Sequence, residues 1–403
     1  MPSSISSSDR DPGFDPAQLH HAPLSPGLRL TASDRPGVAQ PVPSRDVPPR
    51  PWPKMAIVVL LLVIILTGVW EWRMRSLGLF PGDLGEDASG WAEQRRRIDS
   101  EPVQIAIVGD SRILFDTDLD RFQALTGIRP VQLALAGTNG RPFLEDLADD
   151  PKFTGLAIVG IADTSYFRPG IGRGQGALDR GHYESPAQRV SFLLHRMLAR
   201  RLALLDPNYR LSTLVAQADP ASRHGVYSPY DDVWKLIESG PDRQTWLWRE
   251  IERNERLRAH AIRVWMGVFS KPGPKPEVIA MTFARTRAAV AKIRARGGDV
   301  IFVRPPSAPA IRALEDKALP RSVGWDPLLK AAQVRGVHFD ELPNAQGLVL
   351  PELSHLSRAC ATIFTDAYVR ALAKATPRIP ILPAAPPPLT PVECVGVGKG
   401  KGG

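Results

Sequence analysis

The stretch from Val103 to Phe115 constrains the fold more than any other part of the sequence. Its first half, through Val108, is a short β-branched apolar run, long enough for a buried strand and too short for a core helix. The run breaks at Gly109, and a helical pattern begins after Asp110 and Ser111. We therefore predict a strand that turns into a helix at Gly-Asp-Ser, with the Ser111 hydroxyl at the carboxyl edge of a sheet.

The same alternation of strand and helix repeats along the chain, and one helix is predicted to continue from Ser111 to about Leu125. Regularly spaced strands separated by helical patterns are typical of a parallel sheet with helices on its faces. The predicted fold class is α/β, a parallel five-stranded sheet flanked by helices. The predicted strands cover residues 104–108, 131–136, 156–161, 299–303 and 337–339.

A different pattern interrupts this alternation from residue 168 to residue 273. Helical periodicity dominates there, for example at 187–205, 232–237 and 244–269. We predict a helical insertion whose aromatic side chains form its own core, and the alternative is a lid or docking surface over a site. The tryptophans of this region are Trp234, Trp246, Trp248 and Trp265.

The two ends of the chain differ in composition from its centre. Many of the 40 prolines lie in residues 1–53 and after Thr376, together with much Ser, Ala and Gly. Such composition favours disorder, so 1–53 is predicted as a disordered arm and 376–403 as a disordered tail. Residues 73–101 are predicted as a polar, helical connector to a domain that spans 102–375.

Residues 54–72 are predicted to form a transmembrane helix. The run from Met55 to Trp70 carries no charge, and with flanking Trp52 and Trp72 it covers roughly 30 Å at 1.5 Å per residue. A cleaved signal peptide is disfavoured because the preceding arm is long and no small-residue cleavage site follows. The flanking basic residues are nearly balanced. We predict the short arm inside and the large domain outside the cytoplasm, in the inner (plasma) membrane.

Charge and cysteine content limit the partners of the chain. The net charge of +9 could suggest nucleic acid, but the arginines are scattered through helical segments without a basic and aromatic array, so no nucleic-acid partner is predicted.

The two cysteines, Cys360 and Cys394, lack metal-ligand spacing. They exclude a disulfide framework but leave a single bridge open. Cys360 is predicted to be a small core residue.

Polar residues follow the predicted strands at one edge of the sheet. The carboxyl ends of parallel strands lie together, and ligands bind where the strand order reverses. Of the eight histidines, only His355 combines a loop after a sheet strand with a carboxylate three residues earlier. The candidates are Ser111 after the first strand, Gly137 and Asn139 after the second, Asp163 and Thr164 after the third, and Glu352 and His355 after the fifth.

This set contains what acyl transfer needs. A nucleophilic hydroxyl, an imidazole that takes its proton, a carboxylate that orients the imidazole and N–H donors for the oxyanion come from separate loops. The hypothesis requires the Ser111 hydroxyl and the His355 ring to lie within hydrogen-bond reach although about 240 residues separate them.

The blocks Gly109-Asp110-Ser111, Gly137 and Glu352-x-x-His355-Leu356-Ser357 resemble the GDSL/SGNH hydrolase superfamily, in the order of that family and over about residues 103–374. The anchor and the insertion resemble its membrane-tethered members, near the alginate-type enzymes that O-acetylate bacterial surface polysaccharides. The resemblance implies a flavodoxin-like sheet with Ser111 as nucleophile, Gly137 as a second oxyanion donor, His355 as base and Glu352 as its orienting carboxylate.

The chain departs from the family pattern at two positions. The usual acid is Asp, whereas this chain has the longer Glu352, with Asp340 as a substitute candidate. The family has an Asn oxyanion donor after the third strand, whereas this chain has Asp163 and Thr164 there. An ionised Asp163 would repel an oxyanion, so Asn139 or the Thr164 hydroxyl would serve instead.

The resulting hypothesis is a membrane-anchored serine esterase or O-acyltransferase. Its substrates would be acyl (acetyl) esters of cell-surface glycans or small acyl esters, and its mechanism would need no metal or organic cofactor. The alternative hypothesis is a catalytically weak carbohydrate-binding or scaffold module that partners a membrane acyltransferase.

Overall fold

The computed structural model describes residues 50–101, 104–172, 174–217 and 235–395, except for the side chains of Asp163, Ala216, Gln217 and Val395. The predictions made for residues 1–49, for the segment 232–234 that includes Trp234, and for 396–403 lie outside these ranges.

The described residues form seven β-strands and sixteen α-helices. The strands are β1 (Ile105–Val108), β2 (Val131–Gln132), β3 (Leu156–Gly160), β4 (Ile237–Ser239), β5 (Thr245–Leu247), β6 (Asp299–Arg304) and β7 (Arg335–His338). The helices are α1 (Trp52–Ser76), α2 (Ala88–Arg97), α3 (Ser111–Phe115), α4 (Leu119–Thr126), α5 (Arg141–Asp149), α6 (Asp163–Tyr166), α7 (Gly174–His182), α8 (Pro186–Ala199), α9 (Leu211–Gln217), α10 (Arg249–Arg253), α11 (Glu255–Phe269), α12 (Pro276–Ala295), α13 (Pro309–Ala318), α14 (Trp325–Ala332), α15 (Arg358–Ala375) and α16 (Val392–Val395).

Five strands form one parallel sheet in the order β2-β1-β3-β6-β7. The predicted α/β class with a parallel five-stranded sheet is therefore confirmed. The chain moves to one side of β1 to form β2 and then crosses to the other side for β3, so the strand order reverses between β1 and β3. Ligands of such sheets bind beyond the strand ends at this reversal.

Both faces of the sheet are covered, and successive residues of β1 show how. Ile105 and Ile107 belong to one buried cluster, which includes side chains of α3, α4 and α15. Ala106 and Val108 belong to the other, which includes side chains of α2, α5, α12 and α14. Side chains alternate between the two faces of a strand, so a fully apolar strand is what a sheet with helices on both faces requires.

Helix α1 contains the candidate membrane span. It has 25 residues, and its most apolar window has a mean hydropathy of 2.4. Among the described residues it is the one helix long and apolar enough to cross a membrane. The chain divides into two compact units inside α1, at Ile64 and Ile65. In the first unit, the described side chains are exposed.

Residues 73–101 were predicted to be a polar, helical connector; α2 is helical there, but the segment also contributes apolar side chains to the core. Trp91 of α2 is 1% exposed, and its indole N–H donates to the Leu133 carbonyl oxygen at 2.8 Å. Ile98 and Met74 are also buried. The segment looked like a connector because charged residues surround these few apolar side chains, which nevertheless fill the core.

The predicted disorder of the C-terminal tail is wrong for residues 376–395. Cys360 of α15 and Cys394 of α16 form a disulfide, so the single bridge that the sequence left open is present. Arg121 donates to the Pro387 carbonyl oxygen at 2.7 Å, and the Leu389 amide donates to Asp366 at 3.1 Å. Proline-rich composition favours disorder only where tertiary contacts are missing.

The insertion is less helical than predicted. Strand β5 replaces the start of the predicted helix 244–269, and its antiparallel partner β4 begins at the last residue of the predicted helix 232–237. The turn between the two strands contains Pro241, which lacks an N–H, and Asp242, which has a positive φ of 56°. The predicted helix from Ser111 to Leu125 is also interrupted, at Asp116–Asp118. There the Asp118 carboxylate caps α4 by accepting from the amides of Asp120 and Arg121.

Candidate active site

Ser111 occupies the first position of α3, beyond the carboxyl end of β1. Asp110 precedes it as the N-cap, and its Oδ1 accepts from the Arg112 amide at 3.1 Å. Gly109 makes the turn with a φ of 153°, and a Cβ at this position would lie 2.4 Å from Cγ2 of Ile113. Only glycine fits there, so this turn fixes the direction in which the Ser111 side chain leaves the sheet.

The predicted contact between Ser111 and His355 is present. His355 Nε2 lies 2.8 Å from Ser111 Oγ, and His355 Nδ1 lies 2.8 Å from Glu352 Oε1. Because an ionised carboxylate only accepts hydrogen bonds, its contact with Nδ1 assigns the ring proton to Nδ1. Nε2 is then free to accept the Ser111 hydroxyl proton. These three residues have the geometry of a serine–histidine–acid triad.

Glu352 and His355 are completely buried, and a short loop holds them together. Glu352 Oε1 accepts from the His355 backbone amide at 2.6 Å as well as from the ring. Leu353, between them, has a positive φ of 76°, which is uncommon outside glycine. Glu352 Oε2 has no hydrogen-bond partner among the described residues. The carboxylate is thus committed to His355 by two hydrogen bonds to one of its oxygens.

Two aromatic rings pack against the imidazole. Phe115 of α3 lies 4.4 Å from the His355 ring, between centroids, and Trp265 of α11 lies 5.4 Å from it in an edge-on arrangement. Trp265 belongs to the insertion, as do Trp246 and Trp248, which are buried in the core. The insertion was predicted to form an aromatic core of its own, whereas its three described tryptophans pack into the core cluster that also contains side chains of β1, α3 and α15. Trp265 in addition encloses the site.

A cavity of about 370 Å³ opens over Ser111. Its volume falls within the range of sites that hold small molecules. Gly137 lines it at the end of the loop after β2, with a φ of 71°. One wall is apolar and is formed by Phe115, Leu236, Ile237, Trp265, Val268 and Phe269. The polar lining includes Glu86, Asp110, Thr138, Ser165, Arg168 and Asn208.

A buried ionic network supports the serine loop. Arg112, which follows Ser111, is 1% exposed, and its Nη1 lies 2.6 Å from Glu315 Oε1. Arg304, at the end of β6, lies 2.6 Å from the other oxygen of Glu315. Burial favours the neutral carboxyl, but the two guanidinium groups outweigh it and lower the pKa of Glu315. The network ties α3 to α13 and β6.

Two aspartates beside the triad have raised pKa values. Burial raises the pKa of Asp110, whose Oδ2 accepts from the Ser165 hydroxyl. Burial raises the pKa of Asp116 well above its usual range, and the neighbouring Glu352 adds to the effect. Oδ1 of Asp116 accepts from the Leu356 amide at 3.0 Å, next to His355.

Asn139, Thr164 and the substitute acid Asp340 do not line the cavity over Ser111. Asn139 is buried outside the cavity lining, where its Nδ2 donates to the Arg168 carbonyl at 2.6 Å and its Oδ1 accepts from the Arg141 amide. Asn139 therefore stabilises the start of α5 by accepting from its first backbone amide. Thr164 does not line the cavity, and Asp163, whose backbone begins α6, has an undescribed side chain. The substitute acid Asp340 is exposed and pairs with Arg312 instead.

Ser165, Arg112 and Asp116 were not predicted. Ser165 lies in α6, which begins three residues after β3 ends, and its hydroxyl reaches Asp110 and the cavity. The sequence held a positional signal for each residue: Ser165 lies shortly after a predicted strand, Arg112 is on the first turn of the helix that carries Ser111, and Asp116 directly follows that helix. Their chemical roles depend on partners more than 50 residues away, which no local pattern reveals.

No protein-family model, curated protein or solved structure matches this chain. Among the described residues, no group of three or more His, Cys, Asp or Glu side chains is arranged to hold a metal ion.

Proposed function

We propose that the protein is a membrane-anchored serine esterase or O-acyltransferase of the SGNH/GDSL type. Its substrates are acyl esters, in particular acetyl esters of cell-surface glycans. The observation that carries the proposal is the 2.8 Å contact between Ser111 Oγ and His355 Nε2, with Glu352 bound to the opposite ring nitrogen. The strand order, with its reversal beside Ser111, supports the flavodoxin-like fold that the resemblance implies.

In the first half-reaction, Ser111 becomes acylated. His355 Nε2 takes the hydroxyl proton while Oγ attacks the ester carbonyl carbon, which forms a tetrahedral intermediate with a negative oxygen. The intermediate collapses when the bond to the leaving alkoxide breaks, and the imidazolium returns the proton to that oxygen. Glu352 stabilises the imidazolium through Nδ1 and keeps the ring in place.

Backbone amides supply the donors for the negative oxygen. Ser111 stands at a helix N-terminus, where N–H groups lack partners within the helix. No acceptor among the described residues is bound to the amides of Ser111 or Gly137, and both residues line the cavity. Two amides replace the three-donor set of the family, because Asn139 is committed elsewhere. Each such donor contributes roughly 10²–10³ in rate.

In the second half-reaction, an acceptor removes the acyl group. Water or a sugar hydroxyl loses its proton to His355 Nε2 and attacks the acyl carbon, and Ser111 leaves and recovers the proton. Water as acceptor gives an esterase, and a sugar hydroxyl gives a transferase. No metal or organic cofactor takes part in either step.

The test is Ser111→Ala in the full-length protein. We expect turnover of a chromogenic acetyl ester to fall by at least about 10³-fold, since removal of a triad member leaves only the contribution of binding and the oxyanion donors. A fluorophosphonate probe should label the wild type and not the variant. The matched control is Ser191→Ala, an exposed serine on α8, which should retain both activity and labelling.

Unchanged ester turnover in Ser111→Ala would refute the mechanism. If the wild type also fails to react with the fluorophosphonate but binds glycans, and if this binding survives Ser111→Ala, the protein is a carbohydrate-binding or scaffold module that partners a membrane acyltransferase.

We further propose that α1 anchors the protein in the inner membrane with the large domain outside the cytoplasm. The length and hydropathy of α1 support the anchor, and the disulfide between Cys360 and Cys394 supports the orientation. Disulfides persist in oxidising compartments and are rare in the cytoplasm, where thiols are kept reduced. This argument is independent of the nearly balanced charges that flank α1.

Reporters fused after Gly403 test the orientation in a bacterial host. Alkaline phosphatase, which needs oxidising conditions, should be active there, whereas a green fluorescent protein fusion at the same position should stay dark. The reverse result would place the domain in the cytoplasm. Fusions after Arg50, before α1, are the matched control and should give the opposite pattern.

A further inference from the structure

Helix α8 has an apolar face that the described residues leave uncovered. Its Ser185 capping box is complete, so the helix is well formed at its N-terminus. Between 46% and 55% of each side chain on this face is exposed, although all are large and apolar. The face consists of Val190, Leu193, Leu194, Met197 and Leu198.

The spacing of these residues forms one continuous stripe along the helix. They follow the i, i+3, i+4, i+7, i+8 pattern of a single helical face. The opposite side, which includes Phe192 and Ala199, is turned to the protein, and Arg196 there pairs with Glu93 of α2. Helix α8 therefore has one side fixed by protein contacts and an apolar outer side, which we call the α8 outer face.

The segment that follows α8 is attached to α1 next to the predicted membrane span. The Glu71 carboxylate accepts from the backbone amides of Ala203 and Leu204 at 3.0 and 2.9 Å. Arg75, one turn later in α1, donates to the Arg201 carbonyl oxygen. Glu71 directly follows Trp70, the last residue of the uncharged run, so the chain that leaves α8 is held at the level where α1 would leave the bilayer.

Charge and aromatic residues fit the same location. Arg189, Arg200 and Arg201 are exposed in or just after α8. Arginines beside an apolar helix stripe favour the phosphate groups of lipids, with their long side chains extended toward the headgroups. Trp72 of α1 is 69% exposed, and tryptophan is enriched at the membrane interface.

We propose that the α8 outer face lies in the headgroup region of the bilayer that α1 crosses. Helix α8 is then a second, interfacial contact with the membrane, and it limits the tilt of the domain on its anchor. The inference rests on the anchoring proposed above and is independent of the proposed chemistry at Ser111.

The experiment places a nitroxide spin label on the full-length protein in vesicles of phosphatidylethanolamine and phosphatidylglycerol at 3:1. Leu194→Cys carries the label on the α8 outer face, and Ala288→Cys, exposed on α12, is the matched control. The two native cysteines are paired and do not react. We expect the ratio of oxygen to nickel-chelate accessibility to be several-fold higher at position 194 than at position 288.

Three results would overturn the proposal. Equal, water-like accessibility at both positions would show that the face is in solvent. Shielding of position 194 from both reagents would show that protein covers it, and spin–spin broadening that disappears on dilution with unlabelled protein would identify a second copy. Failure of the protein to float with vesicles after alkaline carbonate treatment would refute the anchor and this inference together, whereas flotation with a water-exposed label would refute the inference alone.

Discussion

At the scale of single residues, the triad-like group depends on a carboxylate one methylene longer than the usual Asp. The extra length lets Glu352 Oε1 reach the His355 backbone amide and its ring nitrogen at the same time, across a separation of only three residues. Its other oxygen has no partner among the described residues. One carboxylate oxygen is thus left without a hydrogen bond from the described residues, while the other fixes the orientation of the imidazole. The proposed proton transfer needs this fixed orientation.

Asp116 is the residue whose titration should be visible in the stability of the protein. Its pKa is raised in the folded state, so the folded protein binds this proton more tightly than the unfolded chain. The free energy of unfolding should therefore decrease as pH rises from the unfolded pKa, near 3.9, through the folded pKa. Asp116→Asn keeps the oxygen that accepts from Leu356 and removes the ionisation.

We expect Asp116→Asn to be more stable than the wild type at pH 7 to 8, with a difference that shrinks toward pH 4. Thermal unfolding of both proteins across this range measures the difference. Asp149→Asn, at an exposed position, is the control and should show no such pH-dependent gain. A variant that is less stable than the wild type at every pH would mean that Asp116 is ionised and held by Arg112.

At the scale of elements, the boundary between α3 and α4 explains how the serine helix is joined to the helix after His355. Asp118 Oδ1 caps α4, and its Oδ2 accepts from the Thr362 hydroxyl of α15 at 2.7 Å. The backbone amide of Asp118 also donates to the Thr365 side-chain oxygen, at 2.8 Å. One turn therefore links α3, α4 and α15, the helix that begins just after His355.

Asp118→Ala should lower the free energy of unfolding by about 1–2 kcal/mol, since it removes a helix cap together with one partly buried hydrogen bond to α15. Denaturant titration measures this change. Asp87→Ala removes the exposed cap of α2, whose carboxylate has no second hydrogen-bond partner of this kind among the described residues, and should have a smaller effect. Equal effects of the two substitutions would contradict the importance of the contact with α15.

The sequence predicted the elements better than their ends and partners. Strands β1, β3 and β6 were found because uninterrupted β-branched runs have few other interpretations. The contact of Ser111 with His355 was predictable because parallel strands place their carboxyl ends at one edge. The hydrogen bond from Asn139 to the Arg168 carbonyl was missed because its acceptor is distant in the sequence. The hairpin at Pro241 was missed because the helical periodicity around it gives no sign of the turn geometry.

At the scale of the whole molecule, the C-terminal segment, residues 376–395, is bonded to α15. Asp366 of α15 is completely buried and accepts from Arg121, from Arg370 and from the amide of Leu389 in that segment. The disulfide between Cys360 and Cys394 fixes the end of the segment to the first turn of the same helix. Since α15 begins three residues after His355, the terminal segment stabilises the helix that follows the proposed catalytic base.

Loss of the disulfide should destabilise the protein and also report its compartment. The bridge closes a loop with a sequence separation of 34, for which the chain-entropy relation gives about 4 kcal/mol. Cys394→Ser should lower the free energy of unfolding by up to this amount. Dithiothreitol should destabilise the wild type to the same extent and leave the variant unchanged, which makes the variant its own control. Wild-type protein isolated from cells with alkylation before lysis should contain no free thiols. Free thiols in that sample, or a wild type whose stability does not respond to dithiothreitol, would show that the bridge is not formed. The proposed location of the domain outside the cytoplasm would then lose the support of the disulfide.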